Sequence, residues 1–178
     1  MRVDGSVSAE AEATIRRLSA LLVESDPYSS ALTTAVATAE AHVDATIQQL
    51  LDRSDARNSQ LGAFLIDRST ASFRQTWSAR HELLRDAFGI VVEPQALVQQ
   101  LSLIVDVRNA LAHGDGSLTP VQTTSWLKAN ELRRNLERRL HVSVEGRIIT
   151  ITSESVQTAV EMLIDYVIGL EMAVSAAR

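Results

Sequence analysis

The chain has 178 residues, of which 46% are hydrophobic and 22% charged, a balance typical of one globular domain with a substantial core. The absence of cysteine excludes disulfides and thiolate metal sites, and the four histidines lack metal-binding spacing, so we expect no metal and no cofactor. The formal net charge of −5 argues against extensive non-specific binding of nucleic acid but leaves room for a local basic cleft.

The sequence contains no obvious targeting or membrane segment. Residues 1–12 show no basic region followed by an apolar stretch, so we expect no signal peptide. The most apolar segment, residues 156–177, is interrupted by Glu161, Asp165 and Glu171, which argues against a membrane span. We therefore expect a cytoplasmic protein without membrane contacts.

Aliphatic residues spaced by three or four predict helices over most of the chain. The first covers residues 8–24 and the second residues 29–53, followed by a polar loop at residues 52–60. Helix then resumes through Phe64 and ends at Gly89, with residues 67–70 as a candidate break. The next helix starts near Pro94 and ends at residues 113–114.

The last third of the chain combines two helices with a short strand pair. Thr119 and Gln122 form the pattern of a capping box, which predicts a helix starting at residue 119. Residues 141–144 and 147–151 alternate with period two around Glu145-Gly146, which predicts a hairpin with Val142 facing Ile149. A capped, heptad-like helix follows to the end of the chain.

These elements predict an all-α fold, a bundle of about five to six helices with a small β-hairpin between the last two. We expect residues 1–178 to form a single domain. Residues 1–28 are predicted to be an N-terminal helical extension, and residues 141–151 a hairpin insertion.

The helix over residues 97–113 carries one charged side chain on its apolar face. Its apolar arc consists of Leu97, Val98, Leu101, Ile104, Val105, Val107 and Leu111. Its polar face consists of Gln99, Ser102, Asp106, Asn109 and His113. Arg108 falls inside the apolar arc, and a guanidinium cannot shed its charge, so it requires a partner, a wet cleft or an interface.

His113 lies four residues after Asn109, so the two side chains are helix neighbours and Asn109 is placed to orient the imidazole. Arg108 and His113 are five residues apart, about 140° around a regular helix. Two arrangements bring them together. Either the last helical turn distorts before Gly114, or equivalent segments of two subunits meet across a two-fold axis.

An arginine and a histidine suit RNA cleavage without a metal. The RNA 2′-hydroxyl is an internal nucleophile beside its own phosphate, so the protein must supply a proton acceptor, a proton donor and a cation. Imidazole exchanges protons near neutrality, and the guanidinium fork fits phosphate oxygens. The expected products are a 2′,3′-cyclic phosphate and a 5′-hydroxyl.

Residues 107–114, Val-Arg-Asn-Ala-Leu-Ala-His-Gly, resemble the motif of HEPN ribonucleases, an Arg followed after four to six residues by a His. The segment is most similar to the RiboL-PSP-type branch, and residues 39–43 and 88–90 resemble that branch too. The resemblance implies an endoribonuclease homodimer with the motif at the interface, and a role in toxin–antitoxin, antiviral or RNA-processing systems beside a cognate antitoxin. It implies that Arg108 and His113 are catalytic and that Asn109 supports them.

Structural readings of the same residues remain open. Arg108 can form an ion pair with Glu40 or Asp44 of a neighbouring helix, and His113 can simply stabilise a helix C-terminus. If Arg108 and His113 both have these structural roles, the chain is an inactive helical interaction module, such as an antitoxin or scaffold subunit.

Two arginines and two tryptophans outside this motif have simpler interpretations. Arg134 and Arg138 share a stripe and are candidate RNA-phosphate contacts, although a solvated helix face explains them as well. Trp77 and Trp126 lie at core spacing, so we expect both to pack inside.

Overall fold

A computed structural model describes residues 7–22 and 27–177, without the side chains of residues 69–71. The described residues form seven α-helices and one antiparallel strand pair, which confirms the all-α prediction. The helices are α1 (Ala9–Ala20), α2 (Tyr28–Arg53), α3 (Gln60–Phe73), α4 (Trp77–Phe88), α5 (Gln95–Gly114), α6 (Trp126–Leu140) and α7 (Ser153–Ala176). The strands are β1 (Ser143–Glu145) and β2 (Ile148–Thr150), and a 3-10 turn (Asp55–Asn58) joins α2 to α3.

Helix α7 is the centre of the core, because it packs against α1, α2, α5 and α6. Its heptad-like stripe faces inward, and Leu163, Tyr166 and Leu170 are fully buried. Helix α1 adds Leu18 to the same core, against α2 and α7. The predicted N-terminal extension therefore contributes α1 to the main packing.

Two helix boundaries in the structure differ from those predicted from the sequence. The break in the middle segment falls at residues 74–76, where the Thr76 hydroxyl accepts a hydrogen bond from the Ala79 amide and starts α4, so the helices number seven rather than five or six. The capping-box bonds between Thr119 and Gln122 do form, but they close an isolated turn and α6 begins at Trp126. The predicted end of the first helix at residue 24 lies outside the described residues.

The hairpin forms where expected, but its predicted register is wrong. Val144 pairs with Ile149 and Glu145 with Ile148, so the turn residues are Gly146 and Arg147. Gly146 has a φ of 62°, and two-residue hairpin turns need a positive φ at their first central position, which favours glycine there. The sequence pattern instead predicts a turn of Glu145 and Gly146, with the glycine in the second central position.

A buried polar cluster joins α2, α4 and α7. Arg80 is 4% exposed, and its guanidinium donates two hydrogen bonds to Asp44, at 2.7 and 3.2 Å. The same guanidinium lies 5.3 Å from the ring centre of Trp77. His81 Nε2 lies 2.8 Å from the Tyr166 hydroxyl. The cluster explains how a cation is tolerated in this core.

A buried histidine, His42, joins α1, α2 and α7. His42 is 5% exposed, with Nδ1 3.3 Å from the Thr14 hydroxyl and Nε2 3.5 Å from a carboxylate oxygen of Glu171. Burial lowers the pKa of His42 below its usual range, more than the nearby Glu171 and Glu10 raise it. Burial and the neighbouring Arg80 lower the pKa of His81 as well.

These two histidines predict a loss of stability on mild acidification. The unfolded chain binds protons at histidine near pH 6.5, whereas the folded chain takes them up only at lower pH, so lowering the pH through this window favours unfolding. We expect the urea midpoint to fall between about pH 7.5 and 5.5, and to fall less in His42→Gln. A midpoint constant over this range, measured by circular dichroism, would contradict the prediction.

Candidate functional site

Helix α5 carries all three residues of the predicted site, and it stays helical through Gly114. It is terminated by Asp115, which adopts a left-handed conformation with a φ of 49° and donates its backbone N–H to the carbonyl of Ala110. The last turn is therefore not unwound before Gly114. Within one chain, Arg108 and His113 keep the separation of about 140° that a regular helix imposes.

Arg108 is half-buried, and its Nη1 donates a hydrogen bond to Oδ1 of Asn109, at 3.2 Å. Among the described residues, no carboxylate lies within ion-pairing distance of it. Asp44, one of the two carboxylates considered as its partner, is bound to Arg80 instead. The guanidinium is thus partly desolvated without a compensating negative charge from the residues that the structure describes.

Asn109 contacts the arginine rather than the histidine. Its side-chain oxygen accepts the bond from Arg108, and in the described part of the chain no hydrogen bond joins it to His113. His113 itself is exposed. The helix therefore presents an exposed imidazole about one turn beyond a cation that Asn109 contacts.

The hairpin holds the segment that follows His113, a role that the sequence did not reveal. The carbonyl of Gly116 accepts a hydrogen bond from the Ile149 amide at 2.8 Å, and the Leu118 amide donates to the Arg147 carbonyl at 2.7 Å. The Arg147 guanidinium also donates to the Leu118 carbonyl, with Nε at 2.9 Å. Residues 116–118 thus add to the edge of β2, which fixes the loop beside the imidazole.

The polar face of α5 lines a groove against α6. Gln99, Ser102 and Asp106 form one wall, and Lys128, Glu131 and Asn135 stand on the other. Gln122 Nε2 donates to the backbone oxygen and carboxylate of Asp106, at 2.9 and 3.1 Å. Burial raises the pKa of Asp106, opposed by this hydrogen bond. The loop before α6 is therefore anchored two residues from Arg108.

The two candidate phosphate contacts, Arg134 and Arg138, are exposed on α6. The expectation that both tryptophans pack inside is wrong for one of them. Trp77 is half-buried and meets Tyr166 edge-on, whereas Trp126 is 80% exposed. Trp77 also begins its helix, so the spacing alone does not distinguish the two tryptophans.

No three histidine or acidic side chains among the described residues come close enough to hold a metal ion. No helix in the described part of the chain combines the length and apolarity needed to cross a bilayer.

Comparison with protein-family models, curated proteins and solved structures finds no match to this chain.

Proposed function

We propose that this chain is a metal-independent endoribonuclease of the HEPN class, acting as a homodimer in the cytoplasm. The observation that carries the proposal is the half-buried Arg108, which lacks a carboxylate partner among the described residues, on the same helix end as the exposed His113. A desolvated guanidinium without an anion is a preformed phosphate site. The resemblance of residues 107–114 to the HEPN motif supports the same assignment.

A second copy of the chain accounts for the separation of the two side chains. Because α5 stays regular, one helix alone directs Arg108 and His113 to different sides. Two such helix ends meeting across a two-fold axis would bring the arginine of one subunit towards the histidine of the other. The result is a composite cleft with two cations and two imidazoles.

The proposed reaction needs only these groups. One imidazole removes the proton of the RNA 2′-hydroxyl, whose oxygen attacks the adjacent phosphorus. The bond from phosphorus to the 5′-oxygen breaks, and the leaving oxygen takes a proton from the other, protonated imidazole. Arg108 donates to the phosphate oxygens as charge develops on them. The products are a 2′,3′-cyclic phosphate and a 5′-hydroxyl, and no water is consumed.

The biological setting proposed with this activity is a toxin or antiviral effector held in check by an antitoxin protein. A different function is favoured by the exposed apolar residues Val121 and Leu127, which are 85% and 71% exposed. Such a surface suits an inactive interaction module that binds a protein partner. Growth after induced expression distinguishes the two, since toxicity relieved by His113→Ala indicates the nuclease.

The direct test is cleavage of an end-labelled RNA by the purified chain, with the product ends mapped. We expect 2′,3′-cyclic phosphate ends, and the same rate with and without EDTA, because no step uses a metal. Strong inhibition by EDTA would point to a metal enzyme. Complete absence of cleavage for RNA of mixed sequence, with growth unaffected by expression, would favour the interaction module.

A further inference from the structure

Trp126 has an environment unusual for its residue type. Tryptophan is buried on average more than most side chains, yet this one is 80% exposed. In the described part of the chain, its ring meets no other aromatic ring, whereas Trp77 lies against His81 and Tyr166. The exposed indole therefore offers a flat surface that the described fold leaves open.

Helix α6, which begins with this tryptophan, is a basic element of an acidic protein. It carries five cationic residues and two acidic ones, an excess of three positive charges, against −5 for the whole chain. The cationic residues are Lys128, Arg133, Arg134, Arg138 and Arg139. Arg134 follows Trp126 by eight residues, about 80° round the helix and 12 Å along it. The exposed indole is thus followed along α6 by positively charged side chains.

The tryptophan also lies at the end of α6 that is nearer the motif. The Asp106–Gln122 bonds anchor the preceding loop two residues before Arg108, and Trp126 follows Gln122 by four residues. Lys128, two residues further, lines the groove between α5 and α6 from the other side of the helix, about 160° from Trp126. A strand leaving the phosphate site along α6 therefore meets Trp126 before Arg134 and Arg138.

We infer that Trp126 is a stacking platform for an unpaired base of the RNA, with Arg134 and Arg138 holding phosphates of the same strand; this rests on the proposed function. Stacking on an indole requires a base with a free face, so the substrate is single-stranded at this point. A nucleic acid fits this surface better than a second copy of the chain does. A two-fold contact centred on Trp126 would bring the excess positive charge of two α6 helices together.

The test measures binding separately from cleavage. The probe is a single-stranded 2′-O-methyl oligouridylate of about twelve nucleotides, which has no free 2′-hydroxyl and cannot be cut by 2′-oxygen attack. We expect it to quench the tryptophan fluorescence of the wild-type chain, and Trp126→Ala to weaken binding by about 5- to 150-fold. Trp126→Phe should retain most of the affinity. The matched control is Leu127→Ala, which removes an adjacent apolar side chain of similar exposure and should bind as wild type does.

Two results separate this inference from the proposed function, and two others would overturn it. Unchanged binding by Trp126→Ala, with RNA still cleaved by the wild-type chain, would overturn the stacking platform and leave the nuclease standing. Trp126-dependent binding without any cleavage would support the platform and contradict the nuclease. Equal binding of a duplex of the same length would overturn the inference. So would dissociation of a dimer by Trp126→Ala in light scattering, because the indole would then be covered by a second copy.

Discussion

Replacing His113 by alanine is expected to lower the rate of RNA cleavage by about 10²- to 10⁴-fold, the usual contribution of a positioned acid or base. Stability should be unchanged, because the side chain is exposed and no hydrogen bond to it is recorded among the described residues. Arg108→Ala should lower the rate by about 10²- to 10³-fold, since it removes donors from the transition state. Rates are measured on labelled RNA, and folding by circular dichroism.

The matched control for His113→Ala is His141→Asn. His141 is also an exposed histidine at the C-terminal end of a helix, but it belongs to α6 rather than to the motif. It has a φ of 53°, a conformation that asparagine tolerates and alanine does not. We expect this variant to cleave RNA at the wild-type rate. Full activity in both His113→Ala and Arg108→Ala, with nuclease contamination controlled, would end the assignment.

Mixing the wild-type chain with His113→Ala tests the composite cleft. Both imidazoles act in the proposed reaction, one from each subunit, so a mixed dimer should be inactive. After random exchange of equal amounts, half of the wild-type subunits lie in mixed dimers, and the activity should fall to about half that of the wild-type chain alone. Undiminished activity in the mixture, with subunit exchange demonstrated, would show that each subunit cleaves RNA independently.

The second large effect concerns folding. Arg80→Met is expected to lower the free energy of unfolding by about 3–5 kcal/mol, because it leaves Asp44 without its bidentate partner in a partly buried position. Replacing both residues, as Arg80→Met with Asp44→Leu, should cost much less, since no unpaired charge remains. Urea unfolding of the single and double variants measures the difference.

Arg85→Met is the control for this pair. Arg85 also binds a carboxylate through Nε at 2.7 Å, that of Asp86, but both side chains are more than half exposed. Exposed ion pairs contribute little to stability, so the unfolding midpoint should stay at the wild-type value. Equal losses in Arg80→Met and Arg85→Met would show that burial does not govern the strength of these pairs.

Features that depend on neighbouring residues were predictable from the sequence. Most helices follow three- and four-residue spacing, although the break between α3 and α4 lies later than predicted. Gly89 ends α4 as expected, with a φ of 66° and the Ile90 amide bonded to the Leu84 carbonyl at 2.9 Å. The presence of a hairpin between the last two helices, and the position of Arg108 on an apolar face, were predictable for the same reason. Hydrogen bonds within a helix span four residues, so the local sequence pattern indicates where a helix forms and which face a residue occupies.

Features that depend on distant residues came from the packing of the whole chain. Asp44 pairs with Arg80, 36 residues away, although the sequence made it an equally good partner for Arg108. The hairpin holds residues 116–118 through bonds to β2. Trp126 is exposed although Leu140, about 40° from it round the same helix, is buried. Charge and aromaticity are properties of single residues, but which groups lie within 3–4 Å of each other is settled only when the helices pack.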